Sequence, residues 1–240
     1  MPRLDVLITQ NGLAESRERA QALILAGKVR VAGETVRTPA RSVAQDASID
    51  VDAEPGYASR GALKLGPALE RFAVDPRGRV CADIGASTGG FTDVLLRRGA
   101  ARVYAVDVGR GLLHWRLRQD PRVVVIERVN ARDLDAFPEA VSLVVIDVSF
   151  ISLEKVLPAI RRAAPSAEVV ALFKPQFEVG RGQVGKGGIV RDESAIAGAL
   201  ARFREWSAAG GYAIRGEAPS EVAGAEGNRE IFVHLEPRRK

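Results

Sequence analysis

Five short apolar runs set the limits on what this chain can fold into. They occupy residues 80–84, 102–106, 123–126, 143–146 and 169–173, and segments with helical patterning, such as 89–97 and 153–163, lie between them. Strands that are apolar on both faces and alternate with helices must be covered on both sides, which is the pattern of a doubly wound parallel sheet. Further helices are expected over 61–72 and 193–209. Strands at 212–216 and 229–235 then follow with no helix-length gap, so they pair as an antiparallel hairpin, expected at the sheet edge. A hydrophobic share of 46% over 240 residues is enough core for such a domain and a smaller companion.

The first fifty residues follow a different pattern. Helices are expected at 4–9 and 17–25, the second with Ser16 as N-cap, Glu18 in its first turn and Gly27 as its stop. Residues 28–31 alternate charge with valine, 32–34 turn, and 35–37 return as a second strand. A third strand, 48–51, precedes a proline and a glycine at Pro55 and Gly56 that break regular structure. The expected organisation is therefore a module at 1–53, a linker at 54–60 and the large domain at 61–240.

No apolar run approaches the ~18 residues of a membrane span, and the N-terminus lacks a signal peptide's apolar segment. A cytoplasmic protein with no membrane partner is expected. The single cysteine, Cys81, lies inside an apolar strand and reads as a core residue; with only two histidines beside it, no metal site is expected. A net charge of +5 permits a polyanionic partner without establishing one.

The strand at 80–84 runs into VCADIGASTGGFT, residues 80–92. In an open parallel sheet, ligands sit beyond the carboxyl ends of the strands, so Asp83, Gly85, Ala86, Ser87, Thr88, Gly89, Gly90 and Phe91 form the candidate cofactor loop. Glycines let the backbone approach a ligand, and the helix that follows offers free N–H groups. About twenty residues on, Asp107 closes the second strand, where a carboxylate accepts bonds from ribose hydroxyls. A dinucleotide loop would carry a second glycine where Ser87 stands, so a nucleoside ligand without pyrophosphate, S-adenosylmethionine above all, fits better. An antiparallel last strand points the same way.

Two rivals share these residues. Ser87, Asp147 and His234 follow the order of an α/β-hydrolase triad, but His234 falls inside the alternating strand 231–235 rather than in a loop. Residues 180–187, GRGQVGKG, nearly complete a phosphate-binding P-loop, but Gly187 occupies the place of the magnesium-binding Ser or Thr. A basic loop is the plain reading; a lid carrying Lys186 and Arg191 is the sharper one.

Four charged residues complete the pattern: Lys64 in SRGALKL, Asp147 in VIDVSF, Lys174 in LFKPQFE and Glu230 in GNREIF. Each alone reads as a surface or strand-end charge. Together and in this order they resemble the catalytic tetrad of FtsJ-like ribose 2′-O-methyltransferases. With DIGASTGGFTD, DVSFIS, KPQFE, GKGGIVRD and the N-terminal module, residues 1–237 resemble the TlyA family of rRNA cytidine 2′-O-methyltransferases, once labelled hemolysins.

The resemblance implies a Rossmann-like class I methyltransferase sheet preceded by a small α+β RNA-binding domain of the ribosomal S-four type. It also implies S-adenosylmethionine as cofactor, with Val108, Asn130 and Asp147 among its contacts, and ribosomal RNA or ribosomal subunits as partner. Lys174 is then the candidate base for the ribose hydroxyl. The neighbouring cation Lys64 would help it shed its proton, whereas Asp147 and Glu230 oppose that loss and are better suited to orienting the lysines. Arg3, Arg17, Arg19, Lys28, Arg30, Arg60 and Lys186 are the candidate RNA contacts, although interspersed glutamates also fit a mixed solvated surface. Phe177 reads equally as a platform for a displaced nucleobase or as a core aromatic. The competing functions are a non-catalytic RNA-binding protein, a serine hydrolase and a membrane-active lysin.

Overall fold

The computed structural model describes residues 1–14, 16–51, 56–224 and 227–238, with the side chain of Arg181 left aside. The chain divides into two compact units, Met1–Gly56 and Tyr57–Lys240. The division falls within the stretch expected as a linker, of which residues 54 and 55 lie outside the described residues. Residues 57–60 do not form a free tether: the Ala58 N–H donates to Asp93 Oδ2 at 2.9 Å, inside the second unit.

The first unit has two helices, α1 (Leu4–Gln10) and α2 (Arg17–Leu25), over a three-stranded antiparallel sheet of β1 (Val29–Val31), β2 (Glu34–Val36) and β3 (Ile49–Val51), in the order β2-β1-β3. Ser16 caps α2 by accepting from Arg19 N at 3.1 Å. The β1–β2 turn needs two left-handed residues, supplied by Ala32 at φ 50° and Gly33 at φ 84°. Leu4, Ile8, Ile24 and Val29 fill the core.

The second unit is a seven-stranded sheet. Its strands are β4 (Val80–Ile84), β5 (Arg102–Asp107), β6 (Val123–Glu127), β7 (Leu143–Ile146), β8 (Glu168–Phe173), β9 (Tyr212–Pro219) and β10 (Ile231–Pro237), ordered β6-β5-β4-β7-β8-β10-β9. The pairs among β4 to β8 are parallel, while β10 runs antiparallel to both β8 and β9. One face is covered by α3 (Ala62–Arg71), α4 (Gly90–Arg97) and α5 (Trp115–Gln119), the other by α6 (Leu153–Ala163) and α8 (Glu193–Ala209), with the single turn α7 (Pro175–Glu178) following β8.

The terminal hairpin forms at the sheet edge as expected, with β9 rather than the last strand outermost. β10 inserts between β8 and β9 because it is the more apolar of the two. Phe232, Val233 and Leu235 are fully buried, whereas β9 carries the ion-paired Arg215 and Glu217 and takes the solvated edge.

Candidate active site

The carboxyl ends of β4, β5, β7 and β8 form the site. After β4 the chain turns sharply at Gly85, φ 84°, where a Cβ would stand 2.4 Å from the carbonyl oxygen of Asp147. The Gly85 and Ala86 amides donate to Val106 O, locking the loop to β5. Gly90 leaves room for Ser59 Oγ, 2.3 Å from where a Cβ would be, and Gly89 for Leu113 and Leu117. The sequence suggested that these glycines serve ligand approach; Gly90 borders the smaller cavity and also admits the start of α3, whereas Gly89 makes room for Leu113 and Leu117 and borders neither cavity beside the loop.

Those two cavities meet along Gly85, Ser87 and Asp147. The larger, about 780 Å³, runs past Asp107, Val108 and Asn130. Asp107 shapes it by accepting from Ser87 N at 2.8 Å and Gly109 N at 2.7 Å, one bond per oxygen, so each oxygen keeps accepting capacity. The smaller, about 290 Å³, is bordered by Arg60, Lys64, Asp83, Thr88, Gly90 and Phe91. Asp83 is fully buried: Oδ2 accepts from Thr92 N and Oγ1 at 2.8 and 2.7 Å, and among the described residues Oδ1 has no partner. Burial pushes its carboxyl up to about 7 against the pull of the Thr92 bonds.

Beside them a third cavity, about 300 Å³, is lined by Lys64, Lys174 and Glu230 together with Ser149, Phe150 and Phe177. The four charged residues form two pairs. Lys64 Nζ lies 2.6 Å from Glu230 Oε2, and Lys174 Nζ lies 2.6 Å from Asp147 Oδ1 and 3.1 Å from Ser149 Oγ. Lys64 borders the second and third cavities and Asp147 the first two, so the tetrad stands where the three spaces adjoin. One expectation changes: the cation meant to discharge Lys174 is itself paired with Glu230.

Three residues here escaped the sequence reading. Ser149 Oγ accepts from Lys174 Nζ at 3.1 Å. Phe150 is 92% exposed with φ 64° and tilts against Phe177, ring centroids 5.2 Å apart. Asn228 is buried and ties the loop 184–190 to the cavity, donating to Gly188 O at 2.9 Å and accepting from Val190 N at 3.0 Å. The available signal was position, since Ser149 and Phe150 follow Asp147 directly and Asn228 closely precedes Glu230.

The rivals fare poorly on geometry. His234 Nε2 bonds Glu168 Oε1 at 2.7 Å and its ring stacks on Phe72, at the start of β8 and away from Asp147 and Ser87. Glu168, His234 and Glu236 do approach one another, but Arg79 and Arg215 already pair with the two carboxylates. Residues 181–183 and 186–188 form separate 3₁₀ turns rather than the strand–loop–helix of a P-loop. Among the described residues no helix is long and apolar enough to cross a membrane.

Of the expected RNA contacts, Arg19, Lys28, Arg60 and Lys186 are exposed and Arg30 is half-buried. Arg3 and Arg17 are both held by the buried carboxylate of Asp5, at 2.9 and 3.0 Å, and their charge keeps that carboxyl well below its ordinary range. Asp5 thus aligns two guanidiniums that keep an exposed edge, at the cost of part of their charge.

The FtsJ-like methyltransferase family model matches residues 57–237, and the S4 domain model residues 2–49. Over 97% of its length the chain is 51% identical to the 16S/23S rRNA (cytidine-2′-O)-methyltransferase TlyA of Mycobacterium tuberculosis, covering 89% of that protein. The chain belongs to the TlyA family of FtsJ-like methyltransferases. Hemolysin A of Brachyspira hyodysenteriae is 42% identical over 97% of this chain and 99% of its own. A solved Streptococcus thermophilus structure, assigned as a hemolysin, is 41% identical with a TM-score of 0.75, covering all of this chain and 89% of that one. TlyA family membership makes this an RNA-binding S4 module joined to a methyltransferase sheet.

Proposed function

We propose that the protein transfers a methyl group from S-adenosylmethionine to the ribose 2′-oxygen of a cytidine in ribosomal RNA, in the cytoplasm. The observation that carries this reading is the convergence of Lys64, Lys174 and Glu230 on one cavity, with Asp147 holding Lys174 from the two-chambered groove beside it. The groove's chemistry suits the cofactor. Asp107, Val108 and Asn130 would hold the adenosine half, and Arg60, Lys64 and the partnerless Asp83 Oδ1 suit the carboxylate and ammonium of the amino-acid half. When bound, the cofactor supplies an electrophilic sulfonium methyl.

The chain's own residues do the rest. Lys174 is the group placed to take the proton of the 2′-hydroxyl at Nζ, a role that requires its free amine, and Asp147 at 2.6 Å stabilises the ammonium that forms. Glu230 holds Lys64 in the same cavity, so both lysines meet the ribose from fixed positions. Phe150, exposed on a left-handed backbone that a non-glycine residue adopts at a cost, offers with Phe177 an aromatic face to a base drawn out of its helix. The S4 module supplies the RNA grip through Arg3, Arg17, Arg19, Lys28 and Arg30, and Lys186 adds a cation from the loop beside the cavity. Tritium-labelled cofactor tests the proposal on ribosomal subunits that lack the modification. Label recovered in alkali-stable dinucleotides is the expected result; label on a base, or none in RNA, contradicts it.

A further inference from the structure

Resting on that reading, we propose that Ser149 is a positioning residue whose hydroxyl aims the amine of Lys174 at the ribose 2′-oxygen. Two groups stand against Nζ of the buried Lys174, and they act differently. Ser149 Oγ accepts a hydrogen bond from it at 3.1 Å. Asp147 Oδ1 is closer, at 2.6 Å, yet among the described residues that oxygen has no hydrogen-bond partner, so the contact is an ion pair without hydrogen-bond alignment. Coulomb attraction depends on distance, whereas a hydrogen bond weakens steeply off its axis. The carboxylate therefore holds the charge of Lys174, and the hydroxyl sets the direction of an N–H.

Direction decides whether a lysine can act as a base. A neutral amine keeps two of the ammonium's three N–H groups and gains a lone pair in place of the third. With one N–H pinned on Ser149, two positions remain for that lone pair. Asp147, an anion, repels it and draws the second N–H, and Asp147 does not border the 300 Å³ cavity. The position left over turns from Asp147 toward the space that Lys174 and Ser149 both line, where a 2′-hydroxyl can hand its proton to Nζ.

Ser149 also stands where such aiming is needed. It borders both the 300 Å³ cavity and the 780 Å³ groove, the junction at which a ribose would meet the methyl group. In sequence it lies between Asp147 and Phe150, so one short stretch carries the ion-pair partner of Lys174, its hydrogen-bond acceptor and the exposed ring offered to a base. Because Ser149 is itself exposed, truncating it removes one oxygen and opens no hole in the core. Small errors in the alignment of reacting groups are costly, so the loss should fall on the chemical step.

Single-turnover methylation of ribosomal subunits tests this with wild type, Ser149→Ala, Ser149→Thr, Lys174→Ala and the double variant Ser149→Ala/Lys174→Ala, all saturated with S-adenosylmethionine. Ser149→Ala should be about 10- to 100-fold slower, the range for losing one hydrogen bond to a charged group, with affinity for cofactor and subunits unchanged. Ser149→Thr keeps the oxygen and should stay within a few-fold of wild type. Since Ser149 acts through Lys174, adding Ser149→Ala to Lys174→Ala should cost nothing further. A Ser149→Ala enzyme at the wild-type rate, a loss that persists in full in the Lys174→Ala background, a Thr variant no faster than Ala, or weakened cofactor binding overturns the assignment. Wild type that methylates no RNA overturns the methyltransferase reading and the inference with it, an outcome distinct from an active enzyme indifferent to Ser149.

Discussion

Removing Glu230 should unfold this protein more readily than its size suggests. Its side chain is 2% exposed and that of Lys64 13%, with 2.6 Å between the charged atoms. At an effective dielectric constant of ~20, charges at that distance attract by about 6 kcal/mol. Desolvation of two ions consumes most of that, so the intact pair adds little net stability, but breaking it leaves an uncompensated buried charge costing about 3–5 kcal/mol. Glu230→Ala should therefore lose about 3–5 kcal/mol in urea unfolding, and Lys64→Met a comparable amount. The double variant Lys64→Met/Glu230→Leu should return to within about 1–2 kcal/mol of wild type, because neither charge remains to be stranded. It should be inactive all the same. Single variants that each cost under about 1 kcal/mol, with no coupling in the cycle, would show a pair screened by water and refute the account of a dry, pre-set site.

Two further substitutions probe the glycine loop. Gly85→Ala adds a Cβ 2.4 Å from the Asp147 carbonyl at a left-handed backbone, and should cost about 1–3 kcal/mol of stability while weakening cofactor binding by calorimetry. A stable variant with unchanged affinity would mean that the loop tolerates a shift at this point. Asp83, with its folded pKa raised to about 7 against roughly 4 unfolded, contributes most to stability below the unfolded value and progressively less as pH rises through the folded one. Urea midpoints of Asp83→Asn should thus vary less than those of wild type between pH 4 and 8; parallel curves would count against a buried, titrating Asp83.

Much of this architecture was legible because periodicity reports burial. The apolar runs at 80–84 and 143–146 and the helical patterns at 17–25, 153–163 and 193–209 are the elements observed, since continuous apolar residues can only be strands covered on both faces. Strand order is another matter. Adjacency in sequence put β9 and β10 together, but only the comparison of their side chains, Phe232 and Val233 against Arg215 and Glu217, shows which one goes inside. The site was legible to the same depth. Lys64, Asp147, Lys174 and Glu230 stood out as charges at element ends, yet the pairing of Lys64 with Glu230, 166 positions apart, is a product of the fold. Phe150 gave no periodic signal because it lies in a loop, where exposure of 92% and a positive φ are visible only in three dimensions.

The central claim, that Lys174 deprotonates the ribose, is tested most directly by single-turnover methyl transfer in wild type and Lys174→Ala, both saturated with S-adenosylmethionine and bound to the same ribosomal subunits. Loss of a positioned general base should slow the chemical step by about 10²–10⁴-fold. Affinity for cofactor and RNA should be unchanged. A Lys174→Ala enzyme that transfers the methyl group within a few-fold of wild type would contradict the account and leave the hydroxyl's proton to another group.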